Sequence, residues 1–372
     1  WHNRIRNIRP NERPYMDVIL MVLYIVIVLS VLVFIHEGGH FLAARAFGVR
    51  VTEFMLGLPG PNIGFTWRGT KFGVTAVPLG GYAKVCGMEP GPEDPHLEDA
   101  LAFAYANGTV YADDVAEKMG ITLDEAIEAL YVLEEWGCLV GPKKTDEHNV
   151  FRTRAFKDKR KGIDLAEGSP RPFDDAHKLY LAERAQTYRA QPFWKRCVIL
   201  LAGIFMNLLF AIVAFVLIYS VFGIDMVNEA GEVVRHVNVD VGTAISAGFN
   251  YIGMVAVAVA GLFNPQTAAD VVSNSTSVMG MAVLSKQYAD AGPLEFLFFM
   301  SMISVSLGIM NLLPIPPLDG GRFVIEVFQK LTKRQVGYKA MNIMTMTGMA
   351  LFIGFFILML NQDIQRFIFG NW

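Results

Sequence analysis

The chain has 372 residues, 53% of them hydrophobic and 18% charged, with a mean hydropathy of +0.37 and a formal net charge of -3. That balance excludes both a soluble globule and a bare bundle of spans, and leaves a membrane protein that carries a polar module. The net charge argues against a nucleic-acid partner for the whole chain. Three cysteines (Cys86, Cys138, Cys197) without a C-x-x-C spacing imply neither a disulfide framework nor a thiolate zinc site.

Residues 1–15 precede the first Met and are expected to be an upstream extension or a cloning remnant, set aside from the fold. Met16–Ile35 gives the roughly 20 apolar residues that a spanning helix needs. It has no small-residue cleavage site and runs into HEGGH, so residues 16–47 are expected as a retained first transmembrane helix. His36 and His40, four apart, share a helix face and can offer imidazole nitrogens to one Zn2+ ion. Glu37, one residue on, reaches a water at that ion as general base, in the H-E-x-x-H arrangement of metalloproteases. Ionisable side chains at the end of an apolar run are costly unless they serve a function, which sets a chance match aside.

Residues 48–85 are rich in Gly, β-branched and aromatic residues, and alternation in Lys71–Val77 and Tyr82–Val85 suggests short strands in hairpins. This stretch is either a small soluble sheet or a membrane-dipping β loop. In the second case its free edge, with Val74 and Ala76 as the expected substrate-binding positions, would pair with an extended substrate backbone.

Residues 86–192 are the polar insert. Helices are expected at His96–Asn107, Asp113–Met119 and Leu123–Trp136, the last opened by a Thr122/Glu125 capping box, with a β wing over Cys138–Thr153. The stretch VYADDVAEKMGITLDEAIEALYVLEEWGCLVGP resembles a winged-helix domain, residues 96–154 in all. Between Val110 and Arg154 there are ten acidic residues (Asp113, Asp114, Glu117, Asp124, Glu125, Glu128, Glu134, Glu135, Asp146, Glu147) and five basic ones (Lys118, Lys143, Lys144, Arg152, Arg154). Phosphate binding needs a basic footprint, so this module is expected to meet a protein partner or act as a spacer.

Residues 193–222 form the second expected transmembrane helix, opened by Trp194, Lys195 and Arg196. With Arg45 and Arg50, these charges put the insert in the cytoplasm by the positive-inside rule. Residues 223–293 are read as an extracytoplasmic segment in which Ala244–Phe263 lies on the surface or dips in and returns. A true crossing there would strand the basic loop Lys330–Lys339 outside. Residues 294–329 hold the third span and LPIPPLDGG, and residues 330–372 hold that loop and the fourth span. The fold class is thus a polytopic α-helical membrane protein: four transmembrane helices, a membrane-associated β region and a cytoplasmic winged-helix-like insert. The same parity brings Asp319 to the depth of HEGGH, where a carboxylate completes a two-His, one-carboxylate zinc site with a position open to water. Pro314, Pro316 and Pro317 break the helix, and Gly320 and Gly321 are expected to allow a turn.

HEGGHFLAARAFGVRV, PLGGYAKV, RCVILLAGIFMNLLFA and SLGIMNLLPIPPLDGGR together closely resemble the bacterial site-2 proteases, intramembrane zinc metalloproteases of the regulated sigma-E protease type. The likeness covers every expected membrane segment. It implies zinc on His36, His40 and Asp319, Glu37 as base, and Asn311 as a substrate-holding residue. It also implies a place in the bacterial inner membrane with the active site near the cytoplasmic side. The implied partners are the lipid bilayer and single-span substrates already trimmed outside, anti-sigma factors or remnant signal peptides. A PDZ domain common in such proteins has no room in Gly223–Thr243, and the insert is unusual. Two rivals remain: a membrane-tethered regulator with an inactive or structural metal site, and an ion transporter, which the single charged cluster disfavours.

Overall fold

The computed structural model describes residues 14–77, 80–88, 93–143, 146, 149–158, 163–227 and 233–367. The expected extension lies outside them but for its last two residues, which begin the first helix. That helix, α1 (Pro14–Ala46), is apolar over most of its 33 residues, with Asp17 in its first turn and Arg45 in its last. At 1.5 Å per residue it is about 50 Å long, more than a hydrocarbon core of about 30 Å. The charges at its two ends favour the helix dipole.

Gly48, at φ 79°, ends α1 in the left-handed region and turns the chain into a four-stranded sheet. Its strands are β1 (Val51–Leu56), β2 (Asn62–Trp67), β3 (Thr70–Thr75) and β4 (Gly81–Val85), in the order β2-β3-β1-β4. β2 and β3 form a hairpin whose two-residue turn, Arg68-Gly69, has positive φ at both positions, as a tight hairpin of this twist requires. β3 then pairs with β1 in parallel, and β4 takes the other side of β1 antiparallel. The outer face of β2 is apolar and bare of protein: Ile63 is 88% and Phe65 67% exposed. An apolar patch of this kind marks a surface that something other than water covers.

The insert follows as α2 (Leu97–Asn107), β5 (Thr109–Tyr111), α3 (Ala112–Met119), α4 (Leu123–Glu135), β6 (Leu139–Val140) and β7 (Val150–Thr153). The three strands form one sheet in the order β5-β7-β6. Thr122 and Glu125 make the reciprocal capping box expected at the start of α4. Leu97, Leu101, Leu130, Leu133 and Phe151 are fully buried in a core separate from the spanning helices. A small hairpin, β8 (Phe156–Asp158) and β9 (Ile163–Leu165), and α5 (Ala176–Arg184) complete the insert. It is fastened to the sheet by Arg50, whose guanidinium donates to Glu183 Oε2 (2.6 Å), Gln186 Oε1 (3.0 Å) and the Trp136 carbonyl at the end of α4 (3.0 Å).

α6 (Phe193–Val216) continues through a π-helical turn to Phe222. A short hairpin, β10 (Ile224–Val227) and β11 (Val233–Val237), leads to α7 (Val241–Gly261), α8 (Ala268–Asn274), α9 (Val278–Ala291), α10 (Pro293–Asn311), α11 (Asp319–Thr332) and α12 (Tyr338–Phe367). The chain is mostly helical. Among the described residues five helices are long and apolar enough to cross a membrane, one more than the four expected. The addition is α7, unbroken over 21 residues and packed on α6 through Gly248, Phe215 and Ile212. The start of α6 and the end of α10 both reach the HEGGH level, because Ile199 touches His40 and Ser304 on α10 reaches Asn207, which touches His36. The chain between α6 and α10 therefore makes no net crossing, and an inward α7 must be matched by a return through α8 and α9. Those two short helices and α11 were not foreseen from the sequence.

Candidate metal centre

Three side chains from two distant parts of the chain converge. His36 Nε2 lies 3.0 Å and His40 Nε2 3.1 Å from Asp319 Oδ2, and the two imidazole nitrogens are 3.4 Å apart. Zinc–ligand bonds of about 2.0–2.1 Å at tetrahedral angles put neighbouring donors about 3.3–3.4 Å apart. The spacing observed is close to that, and two neutral imidazoles with one carboxylate suit zinc. His36 is buried, while His40 and Asp319 are partly exposed, which leaves a side open to a fourth ligand. Among the described residues this is the one group of three or more His, Cys, Asp and Glu side chains close enough to share an ion.

Each donor has a structural reason for its place. The histidines share one face of α1, and His40 Nδ1 donates to the Ile199 carbonyl on α6 at 2.7 Å, which turns Nε2 toward Asp319. His36 Nδ1 is 3.1 Å from Asn207 Nδ2. Asp319 is the first residue of α11, where a carboxylate also favours the helix dipole. The glycines after it do not form the expected turn, because both lie inside α11. They permit close approach instead: a Cβ on Gly320 would press into the Leu312 carbonyl with the Leu313 oxygen only 2.6 Å away, and one on Gly321 would lie 2.5 Å from Ile315 and Pro316.

The HEGGH glycines differ from one another. A Cβ on Gly39 would lie 2.7 Å from the Ala202 carbonyl carbon, so this glycine lets α1 and α6 touch, whereas at Gly38 there is open space. Opposite Gly39, Gly203 leaves room for the imidazoles: a Cβ there would meet His36 at 2.8 and 2.9 Å and His40 Nε2 closer still.

Glu37 sits on the sheet side, where its Oε2 accepts the backbone N–H of Ala83 in β4 at 3.0 Å. β4 is an edge strand, paired with β1 on one side, and its other side faces α1, where Glu37 takes the Ala83 N–H. This corrects the expectation for Val74 and Ala76. Val74 lies in β3, whose backbone is paired to β1 and β2 on both sides, and the Ala76 N–H is taken by the Pro61 carbonyl at 2.9 Å. Neither offers a free edge to a substrate backbone, although the Val74 side chain is half exposed. Asn311 ends α10 with its amide donating to Leu307 of its own helix at 2.9 Å. Sequence reasoning missed Gly203, Asn207 and Ala83; a lone Asn in the apolar run of α6 was the available signal.

The family model described as Peptidase family M50 matches residues 24–355. A Campylobacter jejuni protein named "Putative zinc metalloprotease" is 25% identical over 382 residues, covering 92% of this chain and 93% of its own length. An Agrobacterium fabrum protein of the same description is 27% identical over 391 residues, covering 92% and 95%. A "Probable protease" of Enterococcus faecalis is 37% identical over 89 residues, 24% of this chain and 21% of its own.

Proposed function

The chain belongs to peptidase family M50 and is a multi-pass membrane zinc metalloprotease of the site-2 type, and from that premise we propose that it hydrolyses peptide bonds within membrane-spanning segments, with His36, His40 and Asp319 as the metal ligands and Glu37 as general base. The observation that carries this reading is the convergence of Asp319 on two histidines 279 and 283 residues away. A bound zinc ion would supply Lewis acidity, making water nucleophilic at neutral pH and polarising a carbonyl. Glu37 takes the proton of the attacking water and passes it to the leaving amine. Its hydrogen bond from Ala83 keeps the carboxylate beside the edge of β4.

A spanning helix has its amides tied up internally, so a substrate must unwind before it is cut. In this reading the unwound segment adds to Gly81–Val85, the sheet edge next to Glu37, and its backbone groups find partners there. Asn311 answers a further backbone group of the substrate once its amide leaves Leu307. The apolar face of β2 with Ile63 and Phe65 meets lipid. The Arg45 end of α1 and the insert face the cytoplasm of a bacterial inner membrane, and the acidic winged-helix-like module meets a protein rather than nucleic acid. Single-span proteins already trimmed outside, anti-sigma factors or remnant signal peptides, are the substrates of this scheme.

The test is purified protein in bilayer discs with a single-span peptide substrate. Cleavage inside the span, stopped by a zinc chelator and restored by zinc, is expected. Cleavage that survives the chelator, or that falls only outside the span, refutes the reading.

A further inference from the structure

Asn207 is fully buried in the middle of α6 and carries no charge that a metal would need. Its Nδ2 is 3.1 Å from His36 Nδ1, while its Oδ1 is buried without a partner. As placed, the amide donates to an unprotonated Nδ1, and the imidazole proton is then on Nε2, toward Asp319 at 3.0 Å. Those two hydrogen bonds agree with each other. They do not agree with His36 as a metal ligand, because an imidazole that gives its Nε2 lone pair to an ion carries its one proton on Nδ1. Nδ1–H facing an amide N–H would set two donors against each other.

The two ends of a primary amide have almost the same shape, and hydrogen bonding is what tells them apart. We propose that Asn207 is a positioning residue for the metal: its amide turns over when His36 Nε2 binds zinc, so that Oδ1 accepts the Nδ1 proton and fixes the tautomer and angle of the ring. The turn gives the partnerless oxygen a donor and removes the clash, leaving only the amide NH2 unmatched. His40 needs no such device, since its Nδ1 already donates to a fixed carbonyl, that of Ile199. An amide can answer either tautomer of His36, which a carboxylate or a backbone carbonyl cannot. The helix turn that carries Asn207 is held separately, because Ser304 Oγ on α10 donates to the Asn207 carbonyl at 2.9 Å. Groups that hydrogen-bond a metal's ligands in this way typically change affinity about 10–100-fold when lost.

This inference rests on His36 being a zinc ligand, and the experiment separates the two claims. Zinc affinity is measured by chelator competition on the full-length protein in detergent, for wild type and for His36→Ala, Asn207→Leu, Asn207→Asp and Ser304→Ala. His36→Ala must lose the site; if it keeps wild-type affinity, the ligand reading itself fails. Asn207→Leu keeps the branching at Cγ, though with a larger side chain, but has no acceptor, and a rise in Kd of about 10–100-fold is expected. Asn207→Asp restores an acceptor and should bind at least as tightly as wild type, and Ser304→Ala should bind as wild type. Nitrogen NMR of the imidazoles should show His36 protonated at Nδ1 in zinc-loaded wild type. Wild-type affinity in Asn207→Leu, or Asn207→Asp as weak as Asn207→Leu, overturns the proposal.

Discussion

Gly203→Ala tests how closely the centre is fitted. The added Cβ would stand 2.8 Å from His36 Cε1 and 2.9 Å from its Nε2, and nearer still to His40 Nε2. Comfortable contacts for such atoms are about 3.5–4.0 Å, so the His36 ring must retreat by roughly 0.6–1.2 Å and that of His40 by more. Zinc sites hold their bond lengths to about 0.2 Å, and His40 is tied on its other side to the Ile199 carbonyl. The retreat therefore spoils the donor set. Zinc affinity should fall by about 100-fold or more, which is the scale on which a misplacement of about 1 Å is felt in catalysis. The helix itself gains propensity from Gly to Ala, so the protein should still fold and insert. Metal content by mass spectrometry after dialysis, with thermal unfolding as the control, reads the two effects apart. One zinc per chain at wild-type affinity in Gly203→Ala would show that the imidazoles are not held where the ion needs them.

Glu37→Gln should keep zinc content and unfolding temperature while cleavage falls about 100- to 10,000-fold, the usual worth of a general base, measured on a single-span peptide. Arg50→Met removes the partner at 2.6 Å from the partly buried Glu183 carboxylate, which keeps the Tyr105 hydroxyl, and should cost about 1.5–3 kcal/mol of insert docking, visible as an earlier unfolding transition. Adding Glu183→Gln to it should then cost less than the two single changes together. Burial pushes the Cys86 thiol up to about 11 and that of Cys138 higher still, so at about pH 8 neither carries appreciable thiolate. Maleimide should leave both unlabelled in folded protein and modify both after denaturation, as mass spectrometry of peptides will report.

The centre was largely legible in the sequence because its chemistry follows simple periods. Two histidines four apart on a helix share a face whatever surrounds them, and an acid at the far end of another span must return to the same depth if the spans alternate. The groups that surround and orient those ligands were not legible. Gly203 lies in a stretch whose lone polar side chain is Asn207, and no pattern along α6 says which residue faces the histidines of α1. The strand order was not legible for a similar reason: β3 pairs in parallel with β1 through contacts nearly twenty residues apart, so Val74 lies in an interior strand and β4 is at the edge. Gly320 and Gly321 invite a turn when read locally. Only the packing of Leu312–Pro316 against them shows that a straight helix needs them as much as a turn would. The capping box of α4 was read correctly because its two partners, Thr122 and Glu125, are three residues apart.

X-ray absorption at the zinc edge on the full-length protein tests the metal centre most directly. The expected spectrum has two imidazole nitrogens and oxygen ligands at about 2.0–2.2 Å and no sulfur, and it should be lost in Asp319→Ala. An unchanged spectrum in that variant, or zinc–sulfur distances near about 2.3 Å, would contradict a site built from His36, His40 and Asp319.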